Sequence, residues 1–215
     1  MDDMPDQMRL KKEIRISHKK GNEISDEKLW LDELKKGEKE AFRKLYDDYH
    51  QKVYSTAITM LGNAEDAEDA VQEVFMKIYR KVSSFDGRSK IGTWLYRIAV
   101  NVCIDHVRRN KLQRFKTVSV EEETLVNLHE RGNEVEKSIT SGEVNKITRN
   151  AITRLSPKLR TVVVLRDLQG LAHAEIADIL GCSKGTVSSR LNRGRLKLRS
   201  LLKFQGLDKT YLSEI

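Results

Sequence analysis

The chain has 215 residues, with 40 Lys or Arg against 32 Asp or Glu and a formal net charge of +8. That length allows one large or two small domains, and that charge suits a polyanionic partner. No run reaches the apolar length that spans a bilayer, and the N-terminus, MDDMPDQMRLKKEIRISHKK, lacks the apolar core of a signal peptide, so a cytoplasmic protein without direct membrane insertion is expected.

Residues 1–24 are polar, charged and aperiodic, and read as a mobile tail. Ser25 is placed to cap a short helix holding Leu29, Trp30, Leu31 and Leu34, closed by Gly37. Phe42, Leu45, Tyr46, Tyr49, Val53, Ala57, Ile58 and Leu61 then follow helical spacing up to Gly62. Asn63 caps a third helix, with Ala67, Ala70, Val71, Val74, Phe75, Ile78 and Val82 as its inner face. After the loop SSFDGRSK, a fourth helix from about Thr93 to Arg109 turns Trp94, Leu95, Ile98, Val102 and either Ile104 or Val107 inward. Residues 25–111 make a first domain.

Periodicity fades over 112–142, a net acidic stretch that reads as a flexible linker. Residues 143–205 make a second domain, followed by a tail over 206–215. It opens with a helix from about Glu143 to Arg154. Ser156-Pro157 starts the next one with a cap and a proline at the first helical position, and Val162, Val163 and Leu165 pack inside. With no strand signal of useful strength, the expected fold is all-α: two small helical domains joined by a flexible linker.

The C-terminal stretch HAEIADILGCSKGTVSSRLNRGRLKLRSLLK carries the sharpest pattern. Ile176, Ala177, Ile179 and Leu180 give a short helix one apolar face, and Gly181 suits the left-handed backbone that ends a helix. Ser183 caps a second helix, on which Val187, Leu191, Leu198, Leu201 and Leu202 share one side. From Lys184 to Lys203 there are seven basic residues and no acid. This is a helix-turn-helix whose second helix can neutralise phosphates, while Lys184, Ser188, Ser189, Asn192 and Arg193 project away from the apolar stripe toward base edges. The bland alternative is a surface helix with a solvated basic face.

Two helices of the first domain have opposite character. The third carries five acids, Glu65, Asp66, Glu68, Asp69 and Glu73, and no base up to Phe75. Asp66, Asp69 and Glu73, with Gln72 beside them, share a face that is expected to be exposed. The helix dipole explains Glu65 and Asp66 but not Glu73. A docking face for a basic protein surface accounts for all of them. The fourth helix mixes Arg97, Arg108, Arg109 and Lys111 with Trp94, Tyr96 and Asn101, and Phe85 precedes it. Rings beside cations suit unstacked bases, and the loop FDGRSK could shape a pocket for an extruded base. The plainer reading of Trp94 and Phe85 is core.

Cys103 and Cys182 are lone and far apart, so no disulfide is expected, and no ligand pair sits at zinc spacing. No cofactor, metal or catalytic set is expected.

Three stretches together, DAEDAVQEVFMKIY, FDGRSKIGTWLYRIAVNVCIDHVRR and LSPKLRTVVVLRDLQGLAHAEIADILGCSKGTVSSRLNRGRLKLR, resemble bacterial RNA polymerase sigma factors. The likeness is to the short extracytoplasmic-function class of the sigma-70 family, which keeps only the second and fourth conserved regions. It runs from about residue 38 to 203, the linker excepted. It implies a promoter-specificity subunit that binds core polymerase, reads the −35 and −10 elements and promotes DNA opening. Asp66, Asp69, Gln72 and Glu73 match the core-docking surface. Arg88, Trp94, Arg97, Asn101, Arg108 and Arg109 fall in the part that opens the −10 element and captures a flipped base. Lys184, Thr186, Ser188, Ser189, Arg190 and Arg193 fall in the −35 reader. The linker matches the segment that threads the polymerase channels. The resemblance also implies an anti-sigma factor. One departure is Lys90-Ile91-Gly92, where members often carry an aromatic residue before the TW pair.

Two other readings remain at this level. An ordinary regulator that binds DNA alone would need a ligand pocket or dimer interface in the first domain. A metal-dependent nuclease would use Asp66, Asp69 and Glu73, but no further carboxylate or histidine cluster completes a two-metal centre.

Overall fold

A computed structural model describes residues 28–117 and 141–204, with side chains over 28–112 and 144–204. The expected tails, and the linker beyond Thr117, lie outside the described residues. Every regular element within them is helical. The order is α1 (28–36), α2 (Lys39–Leu61), α3 (Ala64–Lys81), a 3-10 turn (Val82–Ser84), α4 (Ile91–Thr117), α5 (Ser141–Thr153), α6 (Pro157–Val163) running into a π-helical turn (Val164–Leu168), α7 (His173–Leu180) and α8 (Lys184–Phe204).

The punctuation follows from residue chemistry. Gly62 ends α2 at φ 89°, and Gly181 ends α7 at φ 59°, a left-handed backbone that costs glycine little. Asn63 Oδ1 accepts the Asp66 backbone N–H at 2.8 Å and starts α3. Ser183 Oγ accepts the Thr186 N–H at 3.1 Å and starts α8. Ser156 differs from expectation: Pro157 sits at the helix start, but the serine side chain makes no cap bond. At α7 the Glu175 carboxylate instead reaches back to the Ala172 N–H at 2.9 Å.

The fourth helix is longer than its spacing suggested, and its inward set shifts. Ala99, Val100, Val102 and Cys103 are buried, while Ile104 and Val107 are only half-buried. Gly92 lies in its first turn against Tyr49 of α2, where an added Cβ would stand 2.8 Å from the Tyr49 hydroxyl oxygen. The departure from the family pattern is therefore a close helix approach. The π turn had no sequence signal. Its wide loop is closed by the Gln169 N–H on the Val164 carbonyl at 3.1 Å, with Val164 and Leu165 buried.

Residues from α1–α4 and α5–α8 join one contiguous hydrophobic cluster. Leu34, Leu45, Val74, Ile78 and Leu95 fill the first half, and Ile152, Val163, Ile176, Leu191 and Leu202 fill the second. Each such side chain contributes about 1.5–3 kcal/mol of burial. The halves also touch directly, α2 against α5 and α4 against α7.

Candidate functional site

Helix α3 divides its acids between two jobs. Asp69 and Gln72 are exposed, as are Glu65 and Glu68. Asp66 and Glu73 turn toward α4. Asp66 Oδ2 accepts from Asn110 Nδ2 at 2.7 Å. Glu73 Oε2 accepts from Arg109 and from His106 Nε2, each at 3.1 Å, and Oε1 pairs with Lys77 at 2.7 Å. The Lys77 bond first, with Arg109 and His106 adding to it, holds the Glu73 carboxyl down at about 2. Glu73 is thus half-buried and engaged, in contrast to the exposed face expected for it. The reason is that residue 73 lies on the edge of α3 that abuts α4, a rotation that periodicity within one helix does not report.

Along α4 the structure separates core from surface. Arg97, Asn101, Arg108 and Arg109 are exposed, and so is Arg88 in the preceding loop, where Asp86 accepts from its side chain and its N–H. Trp94 is half-buried with its ring 5.3 Å from that of Phe85. Phe85 is buried, which settles it as core. Tyr96 is buried too, with its pKa pushed up to about 12 by burial, and its hydroxyl donates to Gln169 Oε1 at 2.9 Å. Tyr96 is therefore unavailable for stacking with bases. What remains outward is one aromatic edge, Trp94, with four arginines and an amide.

Helix α8 presents Lys184, Ser188, Ser189, Asn192 and Arg193 to solvent, with Thr186 and Arg190 half-buried beside them. Val187 and Leu191 are buried on the opposite side, and α8 packs against α7. Gly194 lets α8 cross α6, because an added Cβ there would meet Val163 Cγ2 at 2.7 Å. Arg195 leans back on Asp167 of the π turn, its Nε donating at 3.1 Å.

Arg160 carried no signal in its local sequence, yet it is buried between the halves. Its guanidinium donates to the carbonyls of Met60, at the end of α2, of Thr153, the last residue of α5, and of Leu155 just beyond it. These are orphan carbonyls at two helix C-termini, where a cation is favoured. Burial pulls its pKa below the ordinary arginine value.

Among the described residues no group of three or more His, Cys, Asp or Glu is arranged to hold a metal ion, and no helix is long and apolar enough to cross a membrane. Both cysteines are free, Cys103 buried and Cys182 half-buried.

The pattern of the family described as Sigma-70 region 2 matches residues 45–113, and that of Sigma-70, region 4 matches residues 146–198. The chain is 36% identical over 177 residues to the ECF RNA polymerase sigma factor SigW of Bacillus subtilis, covering 80% of this chain and 95% of that one. It is 36% identical over 178 residues to the ECF RNA polymerase sigma-E factor of Escherichia coli K12, covering 80% and 92%. Among solved structures, CnrH in complex with the cytosolic domain of CnrY shares the fold, with a TM-score of 0.60, 23% identity, and coverage of 81% of this chain and 96% of that one. The sigma factor RpoE of Bartonella quintana, solved with the anti-sigma factor NepR, gives 0.59 and 25%, covering 75% and 96%.

Proposed function

The chain belongs to the extracytoplasmic-function class of the sigma-70 family and is a promoter-specificity subunit of bacterial RNA polymerase, and from that premise we propose how its surfaces divide the work. Residues 25–111 dock on core polymerase and take the −10 element, 143–205 take the −35 element, and 112–142 connect them. The observation that carries this division is the contrast between two helices of one domain. Asp69 and Gln72 are presented by α3, while Arg97 and Asn101 are presented by α4. Like-charged DNA repels the first and attracts the second, so only a basic protein surface fits α3.

On α4 the exposed edge of Trp94 offers a stacking surface, and Arg88, Arg97, Arg108 and Arg109 hold the strand by its phosphates. Asn101, with donor and acceptor on one amide, is the base reader. On α8, Lys184, Ser188, Ser189 and Arg193 enter the major groove, with Thr186 and Arg190 at its edge. The protein works in the cytoplasm beside polymerase and adds no catalytic chemistry of its own. The B. quintana relative is bound to an anti-sigma factor, which supports such a partner here.

The test is reconstitution. Core polymerase with the chain is run on genomic DNA of the host, and transcript 5′ ends are mapped. Starts preceded by two shared elements at fixed spacing are expected. No starts above core alone would refute the reading, and magnesium-dependent cleavage by the chain alone would favour a nuclease.

A further inference from the structure

A cleft of about 480 Å³ opens among α5, the π turn, α8 and α2, and none of the residues assigned above to polymerase or DNA lines it. Its polar wall is arginine: Arg149 from α5, Arg166 from the π turn and Arg195 from α8. Asp167 is the only acid among the described residues lining it, and it is already engaged. The Arg195 guanidinium donates to both oxygens of that carboxylate, Nε at 3.1 Å. Arg166 is half-buried and donates to the Leu171 carbonyl at 2.9 Å. Arg149 is exposed and makes no hydrogen bond or ion pair among the described residues. The floor is apolar, with Ile152, Val163 and Leu198 buried, and Ser55 of α2 lines the side opposite α5.

Three guanidinium charges against one carboxylate leave a surplus of two positive charges on the cleft. A phosphomonoester carries about −1.5 to −2 near neutral pH and matches that surplus, whereas a single carboxylate leaves one arginine unmet. The planar fork of arginine suits phosphate oxygens, and charge-assisted bonds of this kind are strong. Asp167 holds Arg195 in place and the Leu171 carbonyl holds Arg166, so little side-chain freedom is left to lose on binding. The π turn carries both Arg166 and Asp167 to the cleft, and such turns recur at functional sites. The apolar floor suits an organic body, and the volume lies within the range of small-molecule sites, about 300–1,000 Å³. A DNA duplex, whose major groove alone is about 12 Å wide, is too broad to enter.

We propose that this cleft is a binding site for a small organic phosphate, with Arg149 and Arg166 on the phosphate, Arg195 beside them, and the organic part on Ile152 and Leu198. The site stands apart from the promoter-reading and polymerase-docking surfaces, so it does not depend on where those are placed. A phosphate bound there ties α5 to the π turn and α8 by charge-assisted bonds, and by mass action it stabilises the folded chain.

Calorimetric titration of the full chain with AMP, glycerol phosphate and inorganic phosphate, at constant ionic strength, tests the proposal. Saturable binding of at least one of the two organic phosphates is expected, tighter than that of inorganic phosphate. Arg149→Ala should weaken it about tenfold, the loss of one charge-assisted contact. Arg149 is exposed and unpaired, so this variant keeps its fold, which circular dichroism checks. Lys146→Ala removes an exposed cation of α5 that does not line the cleft, and it should bind as the wild type does. No saturable binding, equal affinity for all three probes, or the same affinity in Arg149→Ala and Lys146→Ala overturns the proposal. So does a result in which no probe binds and Arg149→Ala instead weakens duplex binding, which would make the arginine a DNA contact.

Discussion

Arg109 donates to Glu73 at 3.1 Å and so joins the basic helix α4 to the acidic helix α3. The pair puts a proposed DNA contact and a proposed polymerase contact on one carboxylate. It also means that the acids of α3 are not interchangeable, since Asp69 is free of such bonds in the helix interface and Glu73 is committed to them.

Asp69→Arg is therefore expected to abolish association with core polymerase while leaving the fold intact, because it sets a cation against a basic partner. Glu73→Arg is expected to lose association and also to lower thermal stability, since it faces Lys77, His106 and Arg109. Pull-down with core polymerase beside circular dichroism separates the two. Normal association by Asp69→Arg would remove the docking role of this face.

Glu73 also predicts an acid sensitivity. Its folded pKa is depressed from 4.5 to about 2. Its contribution is therefore fully present above about 4.5 and is lost as the pH falls through about 2. At one-third exposure the contribution is at most about 1 kcal/mol after solvent screening. Thermal unfolding of wild type and Glu73→Gln at pH 6 and pH 3 should show a stability gap that narrows at the lower pH. A constant gap would mean that the carboxylate does not titrate with folding.

The two DNA readers should fail differently. Loss of Arg193 or Lys184 should weaken −35 recognition in intact duplex. A base-edge contact would cost about 1–3 kcal/mol and relax specificity at one position. A phosphate contact would weaken binding evenly across sequences and shrink the salt slope. Asn101→Ala should leave −35 binding unchanged and impair strand opening. Rescue by a pre-melted −10 bubble assigns it to melting, and lack of rescue assigns it to holding the exposed strand. Full activity on closed duplex would place the −10 reader elsewhere.

Gly194→Ala sets two effects against each other. Alanine favours a helix by about 1 kcal/mol. The new Cβ, however, meets Val163 Cγ2 at 2.7 Å, on a stiff, buried, β-branched side chain. Overpacking of this kind costs about 1–3 kcal/mol, so a net loss is expected in chemical denaturation. Combination with Val163→Ala should recover part of it, and strict additivity of the two losses would show that the contact is not the cause.

Residue order alone determined the helices, most of their boundaries and the faces they bury. Gly62, Asn63, Gly181 and Ser183 act through bonds to residues a few positions away, and the apolar stripe of α3 repeats at helical spacing. The basic face of α8 was readable for the same reason, since cations with no apolar neighbours on their side of a helix have only solvent or a partner to face. Tertiary structure alone decided which way Glu73 points, that Tyr96 is core, and that Arg160 bolts two helix ends together. Each depends on a partner distant in sequence: His106 and Arg109 for Glu73, Gln169 for Tyr96, the Met60 carbonyl for Arg160. The same holds for the seam between Arg97 and Asp178, which are 81 positions apart. A helical period reports which side of a helix is apolar, but the neighbour that fills a particular edge, and the distance between two domains, are set by packing that no local pattern encodes.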